Sequence, residues 1–317
     1  MWAGLRRILA GEPRVCFLGD GVGGSWKIRG EQTASQRPHW RAMSFQEFQH
    51  KHIKKFDVFV MVKRFNRDLA EHLRVLGKLV VYDVVDPWKQ PDDGLANPTL
   101  PQAIDFFGRF FAGMAMDGAI FPNRTMCEDL GSLVPEPVTI YHFYRPTLKP
   151  IEVRREVRCI GYEGQPRYLG EWRDVLENSC AKLGIQFLVN PQTIEDLDIC
   201  VTARSSREGT LMPRRYKSNV KFANMLGAGL PCLAHADEMS VHETNPGGVV
   251  FFRDAHELDA GLESLLPWER RREISLRFAS AAREFTQAKI ICLYDEYFQK
   301  LISIRKQRQS VVTRRVA

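Results

Sequence analysis

The residues best placed to do chemistry in this 317-residue chain lie in YKSNVKFANMLGAGLPCLAH, Tyr216 to His235. Lys217 and Lys221 stand one helical turn apart where a helix is expected to begin. A helix start presents unpaired N–H groups and the positive end of its dipole, and two lysines on one face add full charges. Together they suit a phosphate or diphosphate. Gly227 and Gly229 let the helix end tightly, and Pro231 opens a strand where its missing N–H is tolerated. Just upstream, ARSSREGTLMPRRYK supplies Arg204, Arg207, Arg214 and Arg215. Cations beside a diphosphate stabilise the charge that develops on a leaving phosphate.

Other segments carry candidate groups. FLGDGVGGSWKIRG places glycines 19, 21, 23 and 24 directly after an apolar strand, followed by Ser25, Lys27 and Arg29. The spacing is not the GxGxxG of a dinucleotide fold, and no acid follows at the right distance. YDVVDPW sets Asp83 and Asp86 at the end of another strand. No histidine or third acid stands near them, so a metal site is not expected. In FPNRTMCEDL, Asn123 is a good helix cap and Arg124 follows it. GYEGQP contains Gly164 and leads to Arg167, YHFYRP holds a lone histidine, His142, and Glu243 follows the strand after Pro231.

The elements that must position these groups alternate. Apolar runs at 14–19, 57–63 and 78–84 read as strands covered on both faces, as in a parallel sheet. Between the last two, RFNRDLAEHLRVLG puts Leu69, Leu73 and Leu76 at helical spacing, with Gly77 as its stop. Shorter strands are expected at 117–122 and 137–142. The second half repeats the grammar, with strands at 157–162, 185–189, 197–202 and 230–235 and helices at 168–184, 255–266, 267–285 and 288–304. RPTLKPIEVRREV, with two prolines, reads as the linker. The fold class is therefore α/β, with two Rossmann-like domains facing each other across a cleft. In such sheets ligands bind beyond the carboxyl ends of the strands.

KSNVKFANMLGAGLPCLAH resembles the C-terminal domain of GT-B glycosyltransferases, the retaining nucleotide-sugar enzymes of surface polysaccharide and glycoconjugate synthesis. The resemblance runs from about Val15 to Phe298. It implies an acceptor-binding domain over 1–148, a nucleotide-sugar-binding domain over 149–287, a helix over 288–304 crossing back to the first domain, and a basic tail over 305–317. On the donor side it points to Gly164, Arg167, Arg215, Tyr216, Lys217, Lys221, Asn224 and Glu243. On the acceptor side it points to Gly24, Ser25, Arg29, Asp83, Asp86 and Arg124. Many relatives carry two glutamates eight residues apart around this helix; here those places hold Tyr216 and Asn224. Asn224 can still bond a ribose hydroxyl, whereas Tyr216 cannot imitate a carboxylate, and Glu243 is the substitute acid. The co-substrate is a nucleotide sugar, no cofactor is implied, and the acceptor is a glycan or a lipid-linked sugar. No catalytic residue is assigned. A non-catalytic GT-B scaffold and a two-lobed ligand-binding protein are the rival readings.

Composition sets the context. The formal charge is +7, and RKQRQSVVTRR near the end holds five cations and no acid. A basic tail suits anionic lipid or nucleic acid, or else is a solvated disordered end; with the glycosyltransferase resemblance, no nucleic-acid partner is expected. Trp2, Leu5, Ile8 and Leu9 form a short apolar stripe with Arg6 and Arg7 between them, fit for a membrane interface or for packing on the protein. No apolar run approaches the roughly 18 residues of a membrane span. Seven cysteines without framework spacing read as thiols of a reducing compartment, so a cytoplasmic location is expected, with the basic tail offering a contact to the inner membrane face.

Overall fold

The computed structural model describes residues 12–86, 98–205 and 211–316. The stripe from Trp2 to Leu9, and Arg207, lie outside the described residues.

The first sheet has six strands, β1 (Val15–Gly19), β2 (Trp40–Ser44), β3 (Val58–Val62), β4 (Leu79–Asp83), β5 (Gly118–Phe121) and β6 (Pro137–Thr139). Their order is β2-β1-β3-β4-β5-β6, and every pairing is parallel. The apolar runs are continuous because alternate side chains enter two separate cores. Cys16, Leu18, Phe59, Met61, Val80 and Tyr82 face one cluster, and Val15, Phe17, Val58, Val60, Leu79 and Val81 face the other. Helices α1 (Gly23–Trp26, running on as a wider turn over Lys27–Gln32), α2 (Arg67–Val75), α3 (Leu100–Phe111) and α4 (Arg124–Leu130) connect the strands. Asn66 caps α2 by accepting from the Leu69 N–H at 3.0 Å, and Gly77 ends it at φ +70°.

The second sheet holds β7 (Cys159–Tyr162), β8 (Gln186–Val189), β9 (Ile199–Thr202), β10 (Cys232–His235) and β11 (Val250–Phe252). Its order, β11-β10-β9-β7-β8, repeats that of the first sheet, and it too is parallel. Its helices are α5 (Trp172–Lys182), α6 (Leu211–Tyr216), α7 (Val220–Ala228), α8 (Met239–Thr244), α9 (Ala255–Ser264) and α10 (Trp268–Ala281). All seven cysteines are unpaired; burial pushes the Cys16 and Cys200 thiols up to about 12, which keeps them protonated.

Two segments cross between the sheets. Met212 and Tyr216, on α6 after β9, are buried in the first domain's core. The last helix, α11 (Gln287–Val316), lays Ile290, Ile291, Tyr294, Tyr297, Phe298 and Leu301 on the other face of the first sheet. The basic segment expected as a tail after 304 continues this helix. Nothing between Leu301 and Arg315 is a glycine or proline that would stop it. Among the described residues no helix is long and apolar enough to cross a membrane.

Candidate functional site

Both sheets turn their carboxyl ends toward one cleft of about 460 Å³. Gly24, Lys27, Ile28 and Gln32, from the loop and helix after β1, line one side. Glu163, Gly164 and Gln165 after β7, Asn190 after β8, and Val220, Lys221 and Asn224 of α7 line the other. Phe143 and Arg145 form the back, on the chain that leaves the first domain. In each sheet the first strand is where the strand order reverses, the place where open parallel sheets take ligands.

Lys221 sits in the first turn of α7. Its ammonium donates to the Tyr162 hydroxyl at 2.9 Å and lies 4.2 Å above that ring. Burial lowers its pKa to about 8, while Glu238 and Glu163 act in the other direction. The turn after β7 comes close because residue 164 is glycine: a Cβ there would overlap the Lys221 ammonium. The Gly164 N–H donates to Asn190 Oδ1 at 2.8 Å. Asn224 is engaged at both ends of its amide, accepting from the Arg145 N–H at 3.0 Å and donating to Glu163 Oε2 at 3.2 Å. Glu163 also pairs with the Arg145 guanidinium. It is thus the cleft's carboxylate, and sequence reasoning passed over it; its position beside Gly164 in GYEGQP was the available signal. Deeper lies a buried charge cluster. Arg204 stacks over the Tyr168 ring at 4.8 Å. Burial pushes the Glu238 carboxyl up, against the pull of Arg204 and Lys221. Arg167 lies on the same ring, its guanidinium 4.9 Å from the Tyr168 centroid, and donates to the Tyr168 hydroxyl at 3.0 Å.

Several expected site residues are elsewhere. Lys217 and Lys221 do not share a helix face: α6 ends at Tyr216 and α7 starts at Val220, with Lys217 in the turn between. Lys217 reaches Asp86 of the first domain at 3.0 Å, and Lys63 joins it at 3.2 Å. Burial alone would raise the Asp86 carboxyl, but these two lysines hold it below the usual range. Tyr216 is fully buried and donates to Asp129 Oδ2 at 3.0 Å, which removes it from the donor surface. Arg215 pairs with the same carboxylate at 2.5 and 3.0 Å. Glu243 accepts from the Arg124 and Thr125 N–H groups at 2.8 and 2.7 Å, from the Thr125 hydroxyl, and from Tyr141 at 2.9 Å. Its oxygens cap α4 rather than face the cleft.

Arg29 and Asp83 are buried in the first domain, not on an acceptor surface. Arg29 donates to the Tyr294 hydroxyl and the Ile140 carbonyl, each at 2.6 Å, and Tyr294 donates to Asp83 at 2.8 Å. Burial raises the Asp83 carboxyl, and the Arg29 charge opposes it. The three tie the last helix to the sheet. Arg124 has an exposed side chain 3.7 Å from Glu128. Ser25 is half-buried beside the cleft-lining Gly24. Arg214 pairs with Asp237. His142 is buried, and burial holds its ring well below the usual histidine range. Asn123 caps α4 through the Met126 N–H at 2.6 Å, as expected, and its amide also donates to the Arg215 and Lys217 carbonyls. No group of three or more histidine, cysteine or acidic side chains suited to a metal occurs among the described residues.

No protein-family model and no curated protein matches the chain. Solved structures do. Anabaena HepE, solved in complex with UDP and glucose, superposes with a TM-score of 0.61 at 13% identity, covering 91% of this chain and 100% of that one. A glycosyltransferase from Rickettsia africae gives 0.61 at 10% identity, covering 92% and 99%. The GtfA/B complex gives 0.52 at 10% identity over 77% of this chain, which spans only 57% of that longer one. The class follows from the two sheets and these neighbours: this is a GT-B fold. At such identities the likeness extends to the fold, and the chemistry rests on the cleft.

Proposed function

We propose that the protein is a glycosyltransferase that moves a sugar from a nucleotide-sugar donor to an acceptor hydroxyl. The observation that carries this reading is Lys221, held in the first turn of α7 against the Gly164 turn, inside a cleft at the switch points of both sheets. That HepE of this fold was solved with UDP and glucose supports it. The donor's diphosphate would meet the Lys221 ammonium and the free N–H groups of the α7 start. The bond from the anomeric carbon to the diphosphate breaks, a bond to the acceptor oxygen forms, and the acceptor hydroxyl's proton passes to the departing diphosphate. The leaving diphosphate gains charge, which Lys221 stabilises. Gly24 and Lys27 would meet the acceptor from the first domain. By the sequence resemblance, the anomeric configuration is retained and the product enters a surface polysaccharide or glycoconjugate on the cytoplasmic side. A lipid-linked acceptor would bring the enzyme to an anionic membrane, a contact that the exposed Lys306 and Arg308 suit.

The test is calorimetry with UDP, GDP, ADP, CMP and TDP. One of the diphosphates should bind, and Lys221→Ala should weaken it by about 1.5 to 3 kcal/mol, the range for hydrogen bonds to charged groups. Unchanged affinity in the variant would remove this seat. A non-catalytic scaffold is the second reading, favoured by the engagement of Asn224 and the burial of Tyr216. Donor binding without hydrolysis or transfer would establish it.

A further inference from the structure

At the end of the first sheet opposite the cleft, a second cavity of about 310 Å³ opens. Gly77, Lys78 and Leu79, where β4 begins, form its floor, and Leu301, Ile304, Arg305 and Arg308 of α11 form a wall. Arg74, Asp117 and Glu136 complete the rim.

The charges here do not balance. Asp117 accepts from the Val80 N–H at 2.9 Å and faces Arg74 at 3.4 Å. Glu136 faces Lys300 at 3.1 Å and Arg308 at 3.8 Å. Both carboxylates are therefore engaged. Lys78 donates to the Phe56 carbonyl at 2.7 Å, which occupies one of its three protons. The nearby Asp57 is held by Arg14 at 2.7 and 2.9 Å. Arg305 has no hydrogen-bond or ion-pair partner among the described residues. It reaches the cavity over Gly77, where a Cβ would stand 3.1 Å from its Nη2. Burial is the main cause that lowers the Lys78 pKa; Asp57 opposes it, and Arg14 and Arg305 add smaller lowering effects.

We propose that this cavity is a site for a phosphate group carried on an organic ligand. Lys78 on the floor and Arg305 on the α11 wall grip the anion, with Arg308 beside Arg305 and Arg74 at the rim. Leu79, Leu301 and Ile304 give the ligand's carbon skeleton an apolar wall. The site lies at the other end of the strands from the cleft, so its occupant is not the sugar donor. The same chemistry fits a soluble phosphate monoester and a phospholipid headgroup.

Two probes separate these sources: glycerol 3-phosphate, titrated by calorimetry, and vesicles of phosphatidylglycerol against vesicles of phosphatidylcholine, read by co-sedimentation. Arg305→Glu should lower the affinity for the responding probe about tenfold or more, as expected for a lost charged contact of at least 1.4 kcal/mol. Its thermal midpoint should hold, because Arg305 has no partner to lose among the described residues. Lys78→Gln should act in the same direction; if it unfolds because the Phe56 carbonyl loses its donor, the Arg305 result decides alone. Saturable glycerol 3-phosphate binding without vesicle binding assigns a soluble ligand. Vesicle binding lost in Arg305→Glu assigns a lipid. The proposal fails if the intact protein binds neither probe, or if Arg305→Glu binds both as well as the intact protein.

Discussion

Lys221 shows what a single residue's surroundings do to its chemistry. An ammonium with a pKa near 8 is cationic at neutral pH and neutral above it. An anionic diphosphate needs the cation. Diphosphate affinity should therefore be steady below pH 7 and fall above about pH 8, by at most tenfold per unit. Lys221→Arg should flatten that fall, because a guanidinium stays charged. Calorimetry from pH 6.5 to 9.5 checks both; an intact protein with flat affinity across that range would mean that Lys221 does not meet the phosphate. The identity of such residues was legible in the sequence, and their partners were not. Lys217 and Lys221 look equivalent in sequence, yet one is committed to Asp86 across the domain boundary and the other faces the cleft. Arg29 and Asp83 read as surface chemistry because each follows a strand. Only the packing of Tyr294, more than two hundred residues away, makes them a buried cluster.

At the scale of elements the pattern was more readable, and its gaps have physical reasons. Strands covered on both faces announce themselves as unbroken apolar runs. β2 does not, because WRAMS is an edge strand with only Trp40 buried. β11 is also an edge strand, only three residues long. The last helix was recognised, but its length was not. Its docking depends on a feature of the opposing strand: a side chain at Gly118 would overlap the Tyr297 hydroxyl, which bonds the Glu136 carbonyl at 2.6 Å. Gly118→Ala should push α11 outward and cost about 1 to 3 kcal/mol, the usual effect of overpacking a core. Urea unfolding measures it, and an unshifted midpoint would show that the helix is free to adjust.

For the whole molecule, the two domains are fastened as well as linked. Asp129 takes Arg215 and Tyr216 from the second domain, and Glu243 gives its carboxylate to the start of α4 in the first. Glu243→Ala would leave two backbone N–H groups and two hydroxyls without their acceptor. An unmet buried donor costs about 1 to 3 kcal/mol. The domains should then unfold in separate steps or at a clearly lower midpoint, where the intact protein shows one transition. Calorimetry that finds the same single transition in both would show that the fastening has little energetic weight.

The position of α11 also has a consequence in time. The first sheet is finished at Thr139, but the helix that covers one of its faces begins at Gln287, roughly 150 residues later. A ribosome adding about 5 to 20 residues per second needs roughly 7 to 30 seconds to cover that distance. Through that interval Val15, Phe17, Val58, Val60 and Val81 are covered only in part, by first-domain side chains such as Trp26 and Ala34. Six side chains of α11 are buried there in the finished protein, and a buried side chain of this size contributes about 1.5 to 3 kcal/mol. Their sum is comparable to the roughly 5 to 15 kcal/mol that holds a whole domain folded. The nascent first domain therefore waits, half made and sticky, for the end of its own chain to emerge.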